Sequence, residues 1–258
     1  MCRNVRIIVK GCVIMAKRRR KKKLRLDRVF IALAVVGILV FGIYKGTTFV
    51  IDQVVSLFSS ETEEEKVVEE KPKEYKATVI IDPGHGGIDA GANTGTLYEK
   101  NITLKVSKYI QEELDNNNIK AILTRTDDNN LKSDKNSDLI ERASYSQKYN
   151  AKYFISIHVN GYEDSNDVYG FEAYIRNEES KSLANMILTQ METLGYSKNR
   201  GVIDGKNLMV LKKNTVPSVL VELGYIKSQD KSYLSDDAKL KNVAKAIAKG
   251  IQNKVEES

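Results

Sequence analysis

The sequence predicts an α/β domain behind one N-terminal apolar helix. Across residues 76–254, short β-branched runs alternate with segments whose apolar residues recur at helical spacing. That alternation implies a single mostly parallel or mixed sheet covered by helices on both faces. Roughly 180 residues are ample for one core, and no internal repeat breaks the pattern. Ahead of it, Val29–Tyr44 runs for sixteen residues without a charge.

The elements follow in order. Ala77–Asp82 is short and β-branched and ends in Pro-Gly, which reads as a buried strand and a turn. From Asn101, the residues Ile102, Val106, Ile110 and Leu114 recur every four and form one helical face. Ile119–Thr124 is the second strand. A helix over 137–149 leads into the third strand, Lys152–Val159. Tyr169–Arg176 is the fourth strand, and 179–195 is a helix closed by Gly195. Leu208–Leu211 and Ser218–Val221 read as two further strands. A terminal helix over 236–254 carries Leu240, Val243, Ile247 and Ile251 on one face, leaving 255–258 as a tail.

The net charge of +7 suggests a nucleic-acid binder until its distribution is considered. Residues 1–28 carry twelve Lys/Arg and one Asp, and the other 230 residues sum to −4. A nucleic-acid domain needs positive charge spread over its folded surface, so no nucleic-acid partner is expected. Both cysteines, Cys2 and Cys12, fall in the same stretch, which excludes disulfides and thiolate metal sites from the rest.

Val29–Tyr44 is slightly short of the ~20 residues that cross hydrocarbon. Lys45 can snorkel, and Gly46–Ile51 restores apolar character, so 29–51 is expected to span. Lys17–Lys23, Arg25 and Arg28 precede it, which holds the N-terminus in the cytoplasm and places later residues outside. The flank KGTTFVID lacks a small-x-small cleavage site, so an uncleaved anchor is expected rather than a signal peptide. Met15 opens a conventional n-region, MAKRRRKKK, and is an alternative start to Met1. Residues 52–75 include six Glu between 61 and 70, a solvated acidic spacer.

The chain has two histidines, His85 and His158, each directly after a predicted strand, in IIDPGHGG and FISIHVN. Ligands in open α/β sheets collect at the carboxyl ends of strands. Two imidazoles there can share a metal, and without cysteine a carboxylate must complete the shell. A His/His/carboxylate set with an open position is a catalytic zinc arrangement. Glu99, in the loop ahead of the Asn101 helix, is the best third ligand, though Asp82 and Asp89 compete on sequence alone. Asp82 is expected to bond backbone amides of the turn at Pro83, Gly84, Gly86 and Gly87. GHGGIDAG is neither a dinucleotide fingerprint nor a P-loop. In SVLVELGY, Glu222 ends an apolar strand, where a carboxylate needs a partner or a task; beside a cation it suits a general base.

IIDPGHGG, Glu99, SIHVN and VELGY, in that order over about 77–254, resemble the zinc-dependent N-acetylmuramoyl-L-alanine amidases of bacterial cell walls. The resemblance implies zinc on His85, Glu99 and His158, Glu222 as the catalytic carboxylate, and a twisted, roughly six-stranded sheet. Peptidoglycan is the implied substrate, with cleavage between N-acetylmuramic acid and L-alanine. Arg142, on the helix before the third strand, is expected to offer its fork to a substrate carboxylate. Arg125 is a weaker candidate for that role, and Asn160 is expected to orient substrate or bond a turn. Some relatives carry an autoinhibitory helix near the metal. Here only Gly161–Val168 separates SIHVN from the next strand, which implies an open site. No wall-binding repeat follows residue 254 and no protein partner is evident, so the anchor must supply location. The competing readings are a metallopeptidase acting on the stem peptide, a non-catalytic wall-binding module, and a polybasic adaptor working through residues 17–28.

Overall fold

The computed structural model describes residues 8–9, 12–13, 26–59, 73–161 and 167–258. It divides into two compact units, Met1–Glu69 and Glu70–Ser258. Most of the basic tail, most of the acidic spacer and residues 162–166 of the short connection after SIHVN lie outside the described residues.

In the first unit, Leu26–Ser59 is one continuous helix of 34 residues, longer at both ends than the apolar run. Its segment Phe30–Ile51 has mean hydropathy 2.0, and none of it is buried against protein. At about 1.5 Å per residue it measures about 33 Å, close to the thickness of bilayer hydrocarbon.

In the second unit, six strands form one mixed sheet among the described residues. They are β1 (Ala77–Pro83), β2 (Ile119–Leu123), β3 (Tyr153–Asn160), β4 (Phe171–Ile175), β5 (Asn199–Asp204) and β6 (Ser218–Tyr225). Their spatial order is β2-β1-β3-β6-β4-β5. All neighbours run parallel except β4 against β6, which is antiparallel. The helices are α1 (Glu99–Asn116), α2 (Lys135–Lys148), α3 (Lys181–Glu192), the single turn α4 (Met209–Lys212), the single turn α5 (Lys231–Leu234) and α6 (Asp237–Glu257).

Strand side chains alternate between faces, and the two faces here have different characters. Val79, Ile81, Ile155, Ile157, Val219 and Val221 build the larger core under α1, α3 and α6. The opposite face carries Ile80, Phe154 and Leu220 in a smaller cluster with Val210 and Leu211 of α4. On that second face the residues turn polar toward the carboxyl ends of the strands: Asp82, Ser156, His158 and Glu222. In register, His158 sits beside Glu222, and Glu222 beside Glu172.

Several elements differ from expectation. Leu208–Leu211 is not a strand: Leu208 caps the turn Met209–Lys212. A four-residue apolar run is ambiguous in period, and burying Val210 and Leu211 under the sheet needs only one turn of helix. The sixth strand is instead β5, whose sequence NRGVID alternates poorly because it is a half-exposed edge. Helix α1 starts at Glu99 rather than Asn101. Strand β6 runs on to Tyr225, so Glu222 lies within it, where the register breaks between Glu222 and Tyr225. Helix α6 continues to Glu257 with Val255 buried, so the expected tail is helical.

Gly250 of α6 faces the backbone of α3: a Cβ there would lie 2.6 Å from the Ile187 Cα and 2.8 Å from its nitrogen. Gly250→Ala therefore sets about 1 kcal/mol of improved helix propensity against overpacking into rigid backbone, typically about 1–3 kcal/mol. The expected result is net destabilisation by about 1 kcal/mol in urea unfolding followed by tyrosine near-UV signal. A stabilised variant would show that the helices can separate freely.

Candidate metal centre and active site

The site sits at the carboxyl ends of β1, β3 and β6, the edge where an α/β sheet collects ligands. His85 follows β1 in a tight loop and holds φ = 60°, the left-handed region that non-glycine residues seldom occupy. Two buried arginines fix this loop through its carbonyls. Arg142 donates to Pro83 O at 2.7 Å and His85 O at 2.8 Å. Arg125 donates to Pro83 O and Gly84 O, both at 2.9 Å, and to Lys100 O at 2.8 Å.

Asp82 anchors the clamp. Its Oδ1 accepts from Arg142 Nη1 at 2.9 Å, and its Oδ2 accepts from Ser156 Oγ at 2.7 Å. Thr124 Oγ1 also donates to Oδ1. Burial pushes this carboxyl up, but the Arg142 charge and the two hydroxyls outweigh that and hold it below the usual carboxylate range. Asp82 thus bonds three side chains, from α2, β3 and the end of β2, not the amides of the glycine turn. Arg142, only 2 % exposed, makes four hydrogen bonds to the protein, including one to Asp138 at 2.6 Å. Its fork is hydrogen-bonded to Asp82, Asp138 and the His85 loop, which makes it a brace for that loop. Arg125 is likewise buried and occupied.

Glu99, the first residue of α1, is 3 % exposed. Its Oε1 lies 3.2 Å from His85 Nε2 and 3.0 Å from His158 Nδ1, and accepts from Val159 N at 2.9 Å. Its Oε2 accepts from Ala92 N at 2.7 Å. One ligand atom from each of His85, Glu99 and His158 lies within 4.8 Å of the others. The imidazoles stand edge to face with centroids 4.9 Å apart. This packing requires bare backbone: a Cβ on Gly84 would lie 2.4 Å from the His158 ring, and one on Gly91 2.4 Å from Glu99 Oε2. Burial pushes Glu99 up, but the two histidines outweigh it and hold the carboxyl far below its ordinary range. His85 is held above its ordinary value: burial opposes the shift, while Glu99 and Asp89 favour the imidazolium. Asp89 does not join the cluster. Its Oδ2 lies 2.9 Å from His85 Nδ1, behind the ring. An N,N,O donor set with one free edge fits zinc.

Glu222 and Asn160 line a cavity of about 520 Å³ together with all three of these residues. Glu222 Oε2 is buried and accepts no hydrogen bond. Burial, then the charges of Glu99 and Glu172, push this carboxyl well above its ordinary range. A cation at the triad would act in the opposite direction. Asn160 donates through Nδ2 to Glu172 Oε1 at 3.1 Å.

Glu172 is the residue that sequence reasoning missed. It is 1 % exposed and accepts from Asn160, from Tyr174 OH at 2.8 Å, from Tyr225 OH at 3.2 Å and from Arg200 Nε at 2.7 Å. A lone Glu between Phe171 and Ala173 was the available signal, of the same kind that marked Glu222.

Residues 79–253 match the family described as N-acetylmuramoyl-L-alanine amidase. The chain is 34% identical over 188 residues to the probable cell wall amidase LytH of Staphylococcus aureus. That match covers 71% of this chain and 60% of the relative, so the chain accounts for only part of the curated relative's length. Among solved structures it is similar to the amidase AmiC2 of Nostoc punctiforme, with TM-score 0.65 and 32% identity over 71% of this chain and 99% of that one. It is also similar to the CwlD amidase of Clostridioides difficile in complex with the GerS lipoprotein, with TM-score 0.65 and 30% identity over 70% of this chain and all of that one.

Asp82→Asn tests the clamp. Removing one partner of a buried pair costs about 3 kcal/mol at neutral pH. Because the folded carboxyl is held below its unfolded value, this stability is present above about pH 4 and is lost as pH falls through the folded value. The gap between wild type and variant in urea unfolding should therefore narrow from pH 7 toward pH 2. A gap independent of pH would remove the ion pair from the account.

Proposed function

The chain belongs to the N-acetylmuramoyl-L-alanine amidase family, and on that premise we propose that residues 76–254 are a zinc hydrolase cutting the amide between N-acetylmuramic acid and L-alanine of peptidoglycan. The supporting observation is the convergence of His85 Nε2, Glu99 Oε1 and His158 Nδ1 in one cavity with the unpartnered carboxylate oxygen of Glu222.

In this reading His85, Glu99 and His158 hold the zinc. Bound there, zinc supplies Lewis acidity toward a carbonyl and toward water. Asp89 Oδ2, 2.9 Å from His85 Nδ1, places a negative charge that favours a proton on Nδ1 and leaves Nε2 as the donor atom. Glu222 accepts a proton from the attacking water at Oε2 and returns it to the departing amine of L-alanine. Its lack of a hydrogen-bond partner leaves that oxygen available in both steps. Asn160 acts at one remove, tying the end of β3 to Glu172.

Glu222→Gln keeps shape and hydrogen-bonding capacity but cannot accept a proton near neutral pH. Zinc content should stay near that of wild type, while release of L-alanine amino groups from purified peptidoglycan falls at least ~10²-fold. Loss of zinc would make Glu222 a ligand, and undiminished turnover would falsify the mechanism.

We further propose that Phe30–Ile51 anchors the protein, with the N-terminus cytoplasmic and the hydrolase facing the wall. Support comes from the unbroken apolar helix and the basic run before it. Protease added to intact protoplasts should degrade the hydrolase and leave a small N-terminal remnant. A released species beginning near residue 50 would sink this topology.

A further inference from the structure

The sheet has a second edge, opposite the metal centre, where β1, β3 and β6 begin. Antiparallel β4 ends there, with Ile175 beside Val219. Five cations gather on it: Lys148 at the end of α2, Lys152 ahead of β3, Arg176 after β4, and Lys212 and Lys213 at the end of α4. All five are exposed. Packing makes them neighbours. Arg176 Nη1 donates to Lys212 O at 3.0 Å. Phe154 N donates to Pro217 O at 3.2 Å, which sets the start of β3 beside the segment after Lys213. Tyr145, Ala151 and Val216 share the smaller apolar cluster beneath them. Arg176 also lines a cavity of about 430 Å³ on this edge, where Lys181 and Lys206 pair with Glu178 and Asp204.

None of the five cations has a carboxylate partner among the described residues. Other acids of the edge are spent elsewhere: Asp115 on Lys73, Glu256 on Lys76 and Glu257 on Lys254, leaving Glu74 and Glu179. Lys148 and Lys152 lie over tyrosine rings instead. Lys148 Nζ is 5.2 Å from the Tyr145 centroid and 5.3 Å from that of Tyr149, and Lys152 Nζ is 5.9 Å from that of Tyr153. Tyr149 is 39% exposed. Exposed tyrosine among lysines suits a membrane–water interface, which takes the ring and leaves the charge in water.

The chain enters the domain on the same edge: Lys76 N donates to Asn118 O at 2.8 Å, and Ala77 opens β1. The seventeen residues between Ser59 and Ala77 reach at most about 60 Å, enough for the edge to rest on a bilayer that holds the apolar helix. Beyond residue 28 the chain sums to −4, so an anionic surface repels the domain as a whole and attracts it at this patch.

We propose that the patch docks on anionic phospholipid headgroups of the membrane that carries the anchor, so that the metal centre, on the opposite edge, opens away from the bilayer. The partner rests on the anchor proposed above; the patch does not.

The chain has no tryptophan, so Tyr149→Trp on the patch and Ile88→Trp on the opposite edge each supply one fluorophore. Each full-length variant is placed in lipid nanodiscs that contain a trace of headgroup-nitroxide lipid as quencher. In discs with phosphatidylglycerol the Tyr149→Trp probe should be quenched and the Ile88→Trp probe should not. Discs of phosphatidylcholine alone should quench neither, and salt should abolish the difference. Adding Lys148→Gln, Lys152→Gln or Lys213→Gln should each lower the docked-to-free ratio about five-fold. Equal quenching in the two lipids, equal quenching of the two probes, or indifference to these substitutions overturns the proposal. Quenching that appears only after the six Glu between 61 and 70 are changed to Gln assigns the patch to the acidic spacer, and overturns it too. Flotation of the chain with neutral vesicles at high salt reads the anchor separately. Failure to float refutes the anchor, whereas flotation without selective quenching refutes the docking patch alone.

Discussion

The structure depends most on one buried carboxylate. Asp82 points from β1 into the second face of the sheet, where Ser156 and Thr124 satisfy it and Arg142 neutralises it. Burying a charge pair seldom stabilises a fold by itself, because desolvation offsets most of the attraction. What the pair supplies here is position. A guanidinium locked by Asp82 and Asp138 presents its remaining donors to Pro83 and His85 carbonyls, and Arg125 does the same from the other side. These bonds over-determine a loop that must hold a non-glycine residue at positive φ. Strain of that kind persists only where the surroundings enforce it.

The parity of the strands does the rest. Once β3 pairs with β1 and β6, Ser156 and His158 must share the face that carries Asp82 and Glu222. A one-residue slip in β6 would send Glu222 into the larger core and Val221 toward the histidines. Such a slip buries a carboxylate among Ile155, Ile157 and the helices, so the same apolar alternation that stabilises the core also fixes the position of Glu222. The site is assembled by the sheet, and the loops refine it.

This division explains what could be read from sequence. Strand-end histidines, the carboxylate in SVLVELGY and the helical spacing of Ile102, Val106, Ile110 and Leu114 are local patterns, and the structure keeps each on the element its pattern indicated, though β6 runs three residues past Glu222. Arg142 and Asp82 are different. They are 60 residues apart, and nothing in either neighbourhood reveals that each is the other's counter-charge. An arginine on a helix reads as a solvated charge until the opposing strand is in place. Glu172 was hidden for the same reason, since its partners come from β3, β4, β5 and β6. Strand β5 was missed because an edge strand buries little and so imposes little alternation. Leu208–Leu211 was misassigned because four apolar residues carry no period.

Helix α6 gives eight buried residues to the larger core and packs on α1, whose first residue is Glu99. During synthesis that surface cannot close until residue 255 has left the ribosome. The first two hundred residues of the chain therefore emerge with the Glu99 helix lacking one of its walls. For a protein whose proposed workplace lies across a membrane, late closure has a use. Were the domain exported as proposed, Glu99 would gain that wall only once α6 had arrived on the same side.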